Sequence, residues 1–183
     1  INACAKGGAW RRALELLGEM QRRSRAPDAF SYSRAMRACA RGGEWPRALR
    51  LLDEMRSRGV PPNVISYNAA IDACAQGGDS ARALGLLEEM RRRDRLTPNA
   101  ISYNSAIHAC AAQGEVASAL RLLDEMPRRQ VAPNAITYNS AIDACTKGGE
   151  WRRALGLFSE MRRRGLQPTA VSYASALDAC AQG

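Results

Sequence analysis

The sequence predicts an all-α fold, an α-solenoid superhelix of stacked antiparallel helix-turn-helix repeats of about 35 residues. Three observations predict it. The five tyrosines, Tyr32, Tyr67, Tyr103, Tyr138 and Tyr173, are spaced by 35, 36, 35 and 35 residues. All six cysteines, Cys4, Cys39, Cys74, Cys110, Cys145 and Cys180, keep the same interval. So do five of the six methionines, Met20, Met55, Met90, Met126 and Met161, and Trp10, Trp45 and Trp151 share one phase.

The units so defined are 29–63, 64–99, 100–134 and 135–169. Residues 1–28 are the tail of an earlier unit, and 170–183 begin a later one. The chain opens on Ile1 and is expected to be a piece of something longer. Unit 64–99 carries one extra residue between Arg91 and Thr97, just before Pro98, where it should lengthen a loop.

Each unit reads as two helices. In 64–99, Asn63 can cap the first helix. Tyr67, Ala70, Ile71 and Cys74 come next at i, i+3, i+4 and i+7, which makes one apolar stripe. Gly77 and Gly78 break that helix, and Asp79 can cap a second. Ala83, Leu84, Leu86, Leu87 and Met90 supply its apolar residues. Arg91, Arg92 and Arg93 fall in its last turn, where cations suit the negative end of the helix dipole. A single hairpin cannot bury both faces, whereas stacked copies can. Ala38, Ala73, Ala109 and Ala144 recur in the first helix, and Ala48, Ala83, Ala119 and Ala154 in the second, which permits close helix packing.

Composition narrows the function. The formal net charge of +9 points to a polyanionic partner, with nucleic acid favoured over an anionic membrane surface. Charge that merely confers solubility is the remaining reading. No apolar run approaches the roughly 18–20 residues of a membrane span. His108 is the only histidine, which argues against hydrolytic triads and most zinc sites. The cysteines form no CxxC pair. Equivalent helices stack about 8–10 Å apart, beyond the roughly 4.4–6.8 Å Cα separation of a disulfide. Each cysteine is therefore expected to be a small buried core residue. No metal, cofactor, small-molecule substrate or catalytic residue is expected.

The motif Ile-Ser-Tyr-Asn, then Ala-Cys, Gly-Gly, Ala-Leu-x-Leu-Leu, Glu-Met and Pro-Asn resembles the pentatricopeptide repeat family. It is clearest from Ile101-Ser102-Tyr103-Asn104 through Glu125-Met126 to Pro133-Asn134. The resemblance covers the whole chain. Tetratricopeptide repeats are the competing reading, with a period of 34 and a protein-binding scaffold as the function. The period of 35 and the Pro followed by Asn, Asp or Thr before each first helix favour the pentatricopeptide pattern.

The face away from the core stripe carries the candidate site. In unit 64–99 it is the line Ile65, Asn68, Asp72 and Ala75. Asparagine is a mediocre helix former, yet Asn68, Asn104 and Asn139 directly follow tyrosine, with Ser33 in the same place. An amide both donates and accepts, so it can read a base edge. Phe30, Ile65, Ile101, Ile136 and Val171 lie three residues earlier, able to pack against a base. An Asn after Pro that only caps, or an Ile that only joins the core, is the structural alternative.

The family resemblance implies single-stranded RNA as partner, one base per repeat, read by the residue after tyrosine and the last residue of the unit. The pairs are then Ser33 with Asn63, Asn68 with Asn99, Asn104 with Asn134, and Asn139 with Thr169. The implied sequence, 5′ to 3′ along the chain, is A-Y-Y-Y, where Y is a pyrimidine. Asp28 and Ala174 receive no base. Lys6, Arg41 and Lys147, at the end of the first helix, are implied phosphate contacts, a series that Gln76 and Ala112 break. The resemblance also implies a chloroplast or mitochondrial protein in RNA processing, stability, editing or translation. Protein partners would bind through parts of the parent outside these residues.

Overall fold

The structure, a computed structural model, describes residues 9–23 and 25–182. Lys6 and Cys4 lie outside them. Among the described residues every regular element is an α-helix, and the chain divides into two compact units, Ile1–Pro98 and Asn99–Gly183.

The first unit holds α1 (Ala9–Arg22), α2 (Ala29–Arg41), α3 (Trp45–Ser57), α4 (Val64–Gly77) and α5 (Ser80–Arg92). The second holds α6 (Ala100–Ala112), α7 (Val116–Arg128), α8 (Ala135–Lys147), α9 (Trp151–Arg163) and α10 (Ala170–Ala181). Within the first unit α2 packs on α3 and on α4, and α3 also touches α4. Within the second, α6 packs on α7 and α8, and α8 on α9 and α10. Each unit is thus a stack of antiparallel hairpins. Within each unit the first helices pack on one another, and α3, α7 and α9 each lie against their own first helix and the next.

The turn between paired helices is dictated by the repeated glycines and the cysteine. Gly43, Gly78, Gly114 and Gly149 have φ between 65° and 76°, a left-handed conformation that a Cβ disfavours. That conformation lets the next residue's N–H reach back to the cysteine carbonyl. Glu44 bonds Cys39, Asp79 bonds Cys74, Glu115 bonds Cys110 and Glu150 bonds Cys145, at 2.8–2.9 Å. This six-to-one bond ties off the helix end in the manner of a Schellman motif.

The preceding glycine has a different duty. A Cβ on Gly42 would lie 2.3 Å from the Trp10 ring, and one on Gly77 would lie 2.5 Å from the Trp45 ring. On Gly148 it would lie 2.4 Å from Val116. The side chain that opens a second helix therefore lies over the glycine of the following hairpin. Of the glycine pair, one residue makes the turn and the other admits the neighbour.

Second helices end in the same way. Val60, Val131 and Leu166 donate to the carbonyls of Met55, Met126 and Met161 at 2.9–3.1 Å. After α5 the equivalent bond runs from Leu96 to Met90, one residue longer, at 2.9 Å. The extra residue lengthens the loop as expected and the tie is kept. Gly59 and Gly165 supply the left-handed residue in two of these loops, but Arg95 and Gln130 supply it in the other two, at φ 52° and 61°.

The apolar stripe is the core. Tyr67, Ala70, Ile71 and Cys74 are fully buried, as are Ala83, Leu86, Leu87 and Met90, while Leu84 is half-buried. Tyr32, Tyr103 and Tyr138 are equally buried. Their hydroxyls donate to a glutamate near the end of the paired helix. Tyr103 reaches Glu125 and Tyr138 reaches Glu160 at 2.9 Å, and Tyr32 reaches Glu54 at 3.4 Å. Burial, reinforced by the Glu160 contact, pushes the Tyr138 hydroxyl up to about 12. In the hairpin of α4 and α5 the pattern is rewired. Arg56 of α3 enters, bonding Tyr67 and pairing with Glu89 at 2.7 Å, and Tyr67 donates instead to Asp94 at 2.6 Å.

The cysteine expectation needs one correction. Cys39, Cys74, Cys110 and Cys145 are buried, but Cys180 is exposed. It lies near the end of α10, which packs on α8 and α9 and has no following helix in these 183 residues to lie across it. Tyr173 and Leu177 on the same helix are exposed for the same reason. Ala75, read from sequence as part of the outer line, is buried.

Thiol reactivity and loop strain can both be measured. Burial raises the Cys74 thiol to about 12 and the Cys110 and Cys145 thiols to about 11, so they hold no thiolate at neutral pH. Mass-spectrometric mapping after brief native alkylation should find Cys180 modified well before these three. Substituting Gln130→Gly should stabilise the chain by about 0.5–1 kcal/mol, the left-handed strain relieved less the added chain entropy of glycine. Urea denaturation checks it; a lower midpoint would refute the strain.

Candidate nucleic-acid interface

The site is built at the start of each first helix. Asp28, Asn63, Asn99, Asn134 and Thr169 are extended at φ between −95° and −127° and cap the helices that follow them. Each side chain accepts from the N–H three residues on: Asp28 from Ser31 at 2.8 Å, Asn63 from Ser66 at 3.0 Å, Asn134 from Thr137 at 3.1 Å. For all but Asp28 the Ser or Thr at that third place accepts a bond from the cap's own N–H, which completes a capping box.

Those hydroxyls also reach the preceding repeat. Thr137 Oγ1 donates to Asn104 Oδ1 at 2.6 Å, and Ser172 Oγ donates to Asn139 Oδ1 at 2.6 Å. With its oxygen held, each amide turns its nitrogen toward the cap. Asn104 Nδ2 lies 3.3 Å from Asn134 Oδ1, and Asn139 Nδ2 lies 3.1 Å from Thr169 Oγ1. Two of the residue pairs drawn from the sequence, 30 positions apart, are thus in direct contact. The hydrogen-bond network itself fixes the amide orientation.

Thr137 and Ser172 are positioning residues that the sequence reading passed over. The signal was available: a Ser or Thr directly precedes every tyrosine, at Ser31, Ser66, Ser102, Thr137 and Ser172. These hydroxyls are buried from Ser66 onward, and a buried hydroxyl needs a partner.

Ser33 and Asn63 are not joined. Ser33 is 1% exposed and its hydroxyl donates to the Ala29 carbonyl one turn back, at 2.7 Å. Its short side chain reaches its own helix before it reaches the cap. Asn68 is half-buried on α4, and Asn99 caps α6.

The apolar members of the site stand in solvent. Ile65, Ile101, Ile136, Val171 and Phe30 are 49–61% exposed. They are not part of the core, which removes that reading of them. The Arg34 guanidinium sits 4.3 Å from the Phe30 ring centroid. Of the cations at the end of the first helix, Arg41 is exposed at the end of α2, and Lys147 is paired with Asp143 at 2.8 Å.

Models of the "PPR repeat family" match residues 98–147 and 135–182, the "Pentatricopeptide repeat domain" matches 15–76 and 50–113, and the "PPR repeat" matches 1–24. The chain belongs to the pentatricopeptide repeat family. A solved pentatricopeptide repeat protein, PPR10 from maize, is 33% identical over 93% of this chain with a TM-score of 0.70. PPR10 in complex with an 18-nt psaJ RNA element is 26% identical over 89%, with a TM-score of 0.79. The chain spans about a quarter of the length of these two, 24% in each case. The PPR domain of Arabidopsis thaliana protein-only RNase P 1, solved in complex with tRNA, shares the fold at 15% identity over 95% of this chain and 91% of that domain, with a TM-score of 0.77. No curated protein matched the sequence.

The pentatricopeptide caps have two duties that can be separated. Asn134→Ala should cost about 1 kcal/mol through loss of the cap, whereas Asn134→Asp, which keeps the accepting oxygen, should cost much less. Thermal melts of both variants test this; equal losses would show that the amide nitrogen, not the cap, holds α8.

Proposed function

We propose that this chain binds single-stranded RNA, one base per repeat, without a catalytic step. The observation that carries the reading is the contact of Asn104 with Asn134 and of Asn139 with Thr169, each beside an exposed aliphatic side chain. The bound RNA in PPR10, at 26% identity, supports the same partner here.

The pairing gives the preference a physical form. Asn104 Oδ1 is occupied by Thr137, and Asn134 Oδ1 by the cap and by Asn104. What remains for a base is chiefly donors, the second Nδ2 hydrogen of Asn104 and the Nδ2 of Asn134, beside one lone pair on Asn104 Oδ1. Donors suit the carbonyl O2 that both pyrimidines present, in keeping with Y at this place. Asn139 is held in the same way by Ser172, so its remaining amide hydrogen favours an acceptor too. The base would lie against Ile101 or Ile136, which covers its face. The A at the first place of A-Y-Y-Y rests on Ser33 and Asn63, and the first of the pyrimidines on Asn68 and Asn99. Lys6, Arg41 and Lys147 are the proposed phosphate contacts, and the family supports a chloroplast or mitochondrial setting.

Fluorescence anisotropy with A-Y-Y-Y RNA and with purines at the third and fourth places tests the reading. A purine at either place should weaken binding about tenfold, one well-made base contact being worth roughly 1–3 kcal/mol. Asn104→Ala should erase the discrimination at the third place alone. Equal affinity for all the RNAs would end the coded readout.

A further inference from the structure

The five first helices differ sharply along one line. On α2 the residues at i, i+4, i+7 and i+11 are Phe30, Arg34, Arg37 and Arg41, all exposed and all on one helix face. The same line reads Ile65, Ala69, Asp72 and Gln76 on α4, and Ile101, Ser105, His108 and Ala112 on α6. On α8 it reads Ile136, Ser140, Asp143 and Lys147, and on α10 Val171, Ser175, Asp178 and Gln182. Three positive charges on α2 thus stand against at most one cation, and usually an acid, elsewhere.

These three arginines also differ in their surroundings. Exposed cations on the second helices are commonly held by glutamates one turn away: Arg12 by Glu15, Arg58 by Glu54, Arg153 by Glu150, Arg164 by Glu160. Lys147 is held by Asp143. Helix α2 contains no acid, and Arg34, Arg37 and Arg41 make no ion pair among the described residues. Arg34 is instead stacked on Phe30, which places a cation beside the apolar surface of this repeat.

We propose that α2 is the main phosphate-holding element of this chain, with Arg34, Arg37 and Arg41 engaging the RNA backbone beside the base that packs on Phe30. The inference rests on the RNA-binding reading and adds Arg34 and Arg37 to it. Charge complementarity selects the ligand: three unpaired guanidiniums in a row match successive phosphodiesters, and Arg binds phosphate by a fork of N–H donors. The other repeats, nearly neutral along this line, then contribute base contacts with little backbone attraction. Binding is anchored at one end and read along the rest.

The test compares two triple variants of equal charge. One is Arg34→Ala, Arg37→Ala, Arg41→Ala; the other is Arg50→Ala, Arg82→Ala, Arg121→Ala, from exposed places on α3, α5 and α7. Alanine favours helix, and circular dichroism checks that both fold. Affinity for A-Y-Y-Y RNA is measured across salt concentrations. Losing three single-strand phosphate contacts should make the slope of log K against log salt less negative by about 2, with the control slope nearly unchanged. Both variants should keep the preference for pyrimidines. Equal slopes in the two variants, with wild-type binding intact, would overturn the anchor and leave the RNA reading standing. Absence of RNA binding by the wild-type chain would remove both.

Discussion

The buried tyrosine of each hairpin is the constraint on which the rest depends. It fills the space between paired helices, and its hydroxyl must find an acceptor there, because an unpaired buried hydroxyl is costly. In three hairpins the acceptor is a glutamate near the end of the second helix. That bond fixes the rotation of the first helix about its axis. Consecutive helical residues are about 100° apart, so a tyrosine turned fully inward obliges the next residue to stand at the margin of the core. Asn104 and Asn139 are held there, half-buried, with amides able to touch both protein and solvent. The hairpin of α4 and α5 meets the same requirement differently, through Arg56 and Asp94, and keeps Tyr67 just as buried.

Stacking rests on a second economy of small residues. In the pairs 42–43, 77–78 and 148–149 one glycine turns the chain, and the other leaves a space that Trp10, Trp45 or Val116 enters. A hairpin is therefore shaped to receive its neighbour by packing as well as by polar contact. The hydroxyl bonds from Thr137 to Asn104 and from Ser172 to Asn139 then register adjacent first helices to within a hydrogen bond. A single Ser or Thr caps its own helix and orients the amide of the preceding repeat. Helix capping and amide orientation share the same atoms, so a change at the cap is felt twice.

In the proposed RNA-binding role the site residues would also divide the labour of binding. Exposed aliphatic side chains at the head of the first helices offer area without direction. The amides would offer direction, because the hydrogens left on Asn104 and Asn139 suit an acceptor on a base edge. Arginines along α2 would add attraction that is indifferent to sequence, which belongs at one place if the other repeats are to discriminate.

The sequence alone determined the features that local pattern controls. Tyrosine and cysteine spacing marked the hairpins, Asn63 and Asn134 the helix starts, the glycines the turns, and the 36-residue unit its longer loop, because each depends on near neighbours in the chain. Asn104 and Asn139 were legible as candidates for a similar reason: a poor helix former recurring in a helix stands out, and both amides prove to bond the following cap. Tertiary structure alone decided the features that join residues about thirty positions apart. The hydrogen bond that realises the pair of Asn104 and Asn134, which the family resemblance had implied, and the hydroxyls that orient the amides are set by stacking geometry, while the capture of Ser33 by its own helix is set by side-chain reach. Cys180 makes the point from the other side. Its place in the repeat matches four buried cysteines, yet it is exposed, because burial is conferred by the helix that packs across a residue and not by the residue's position in the pattern.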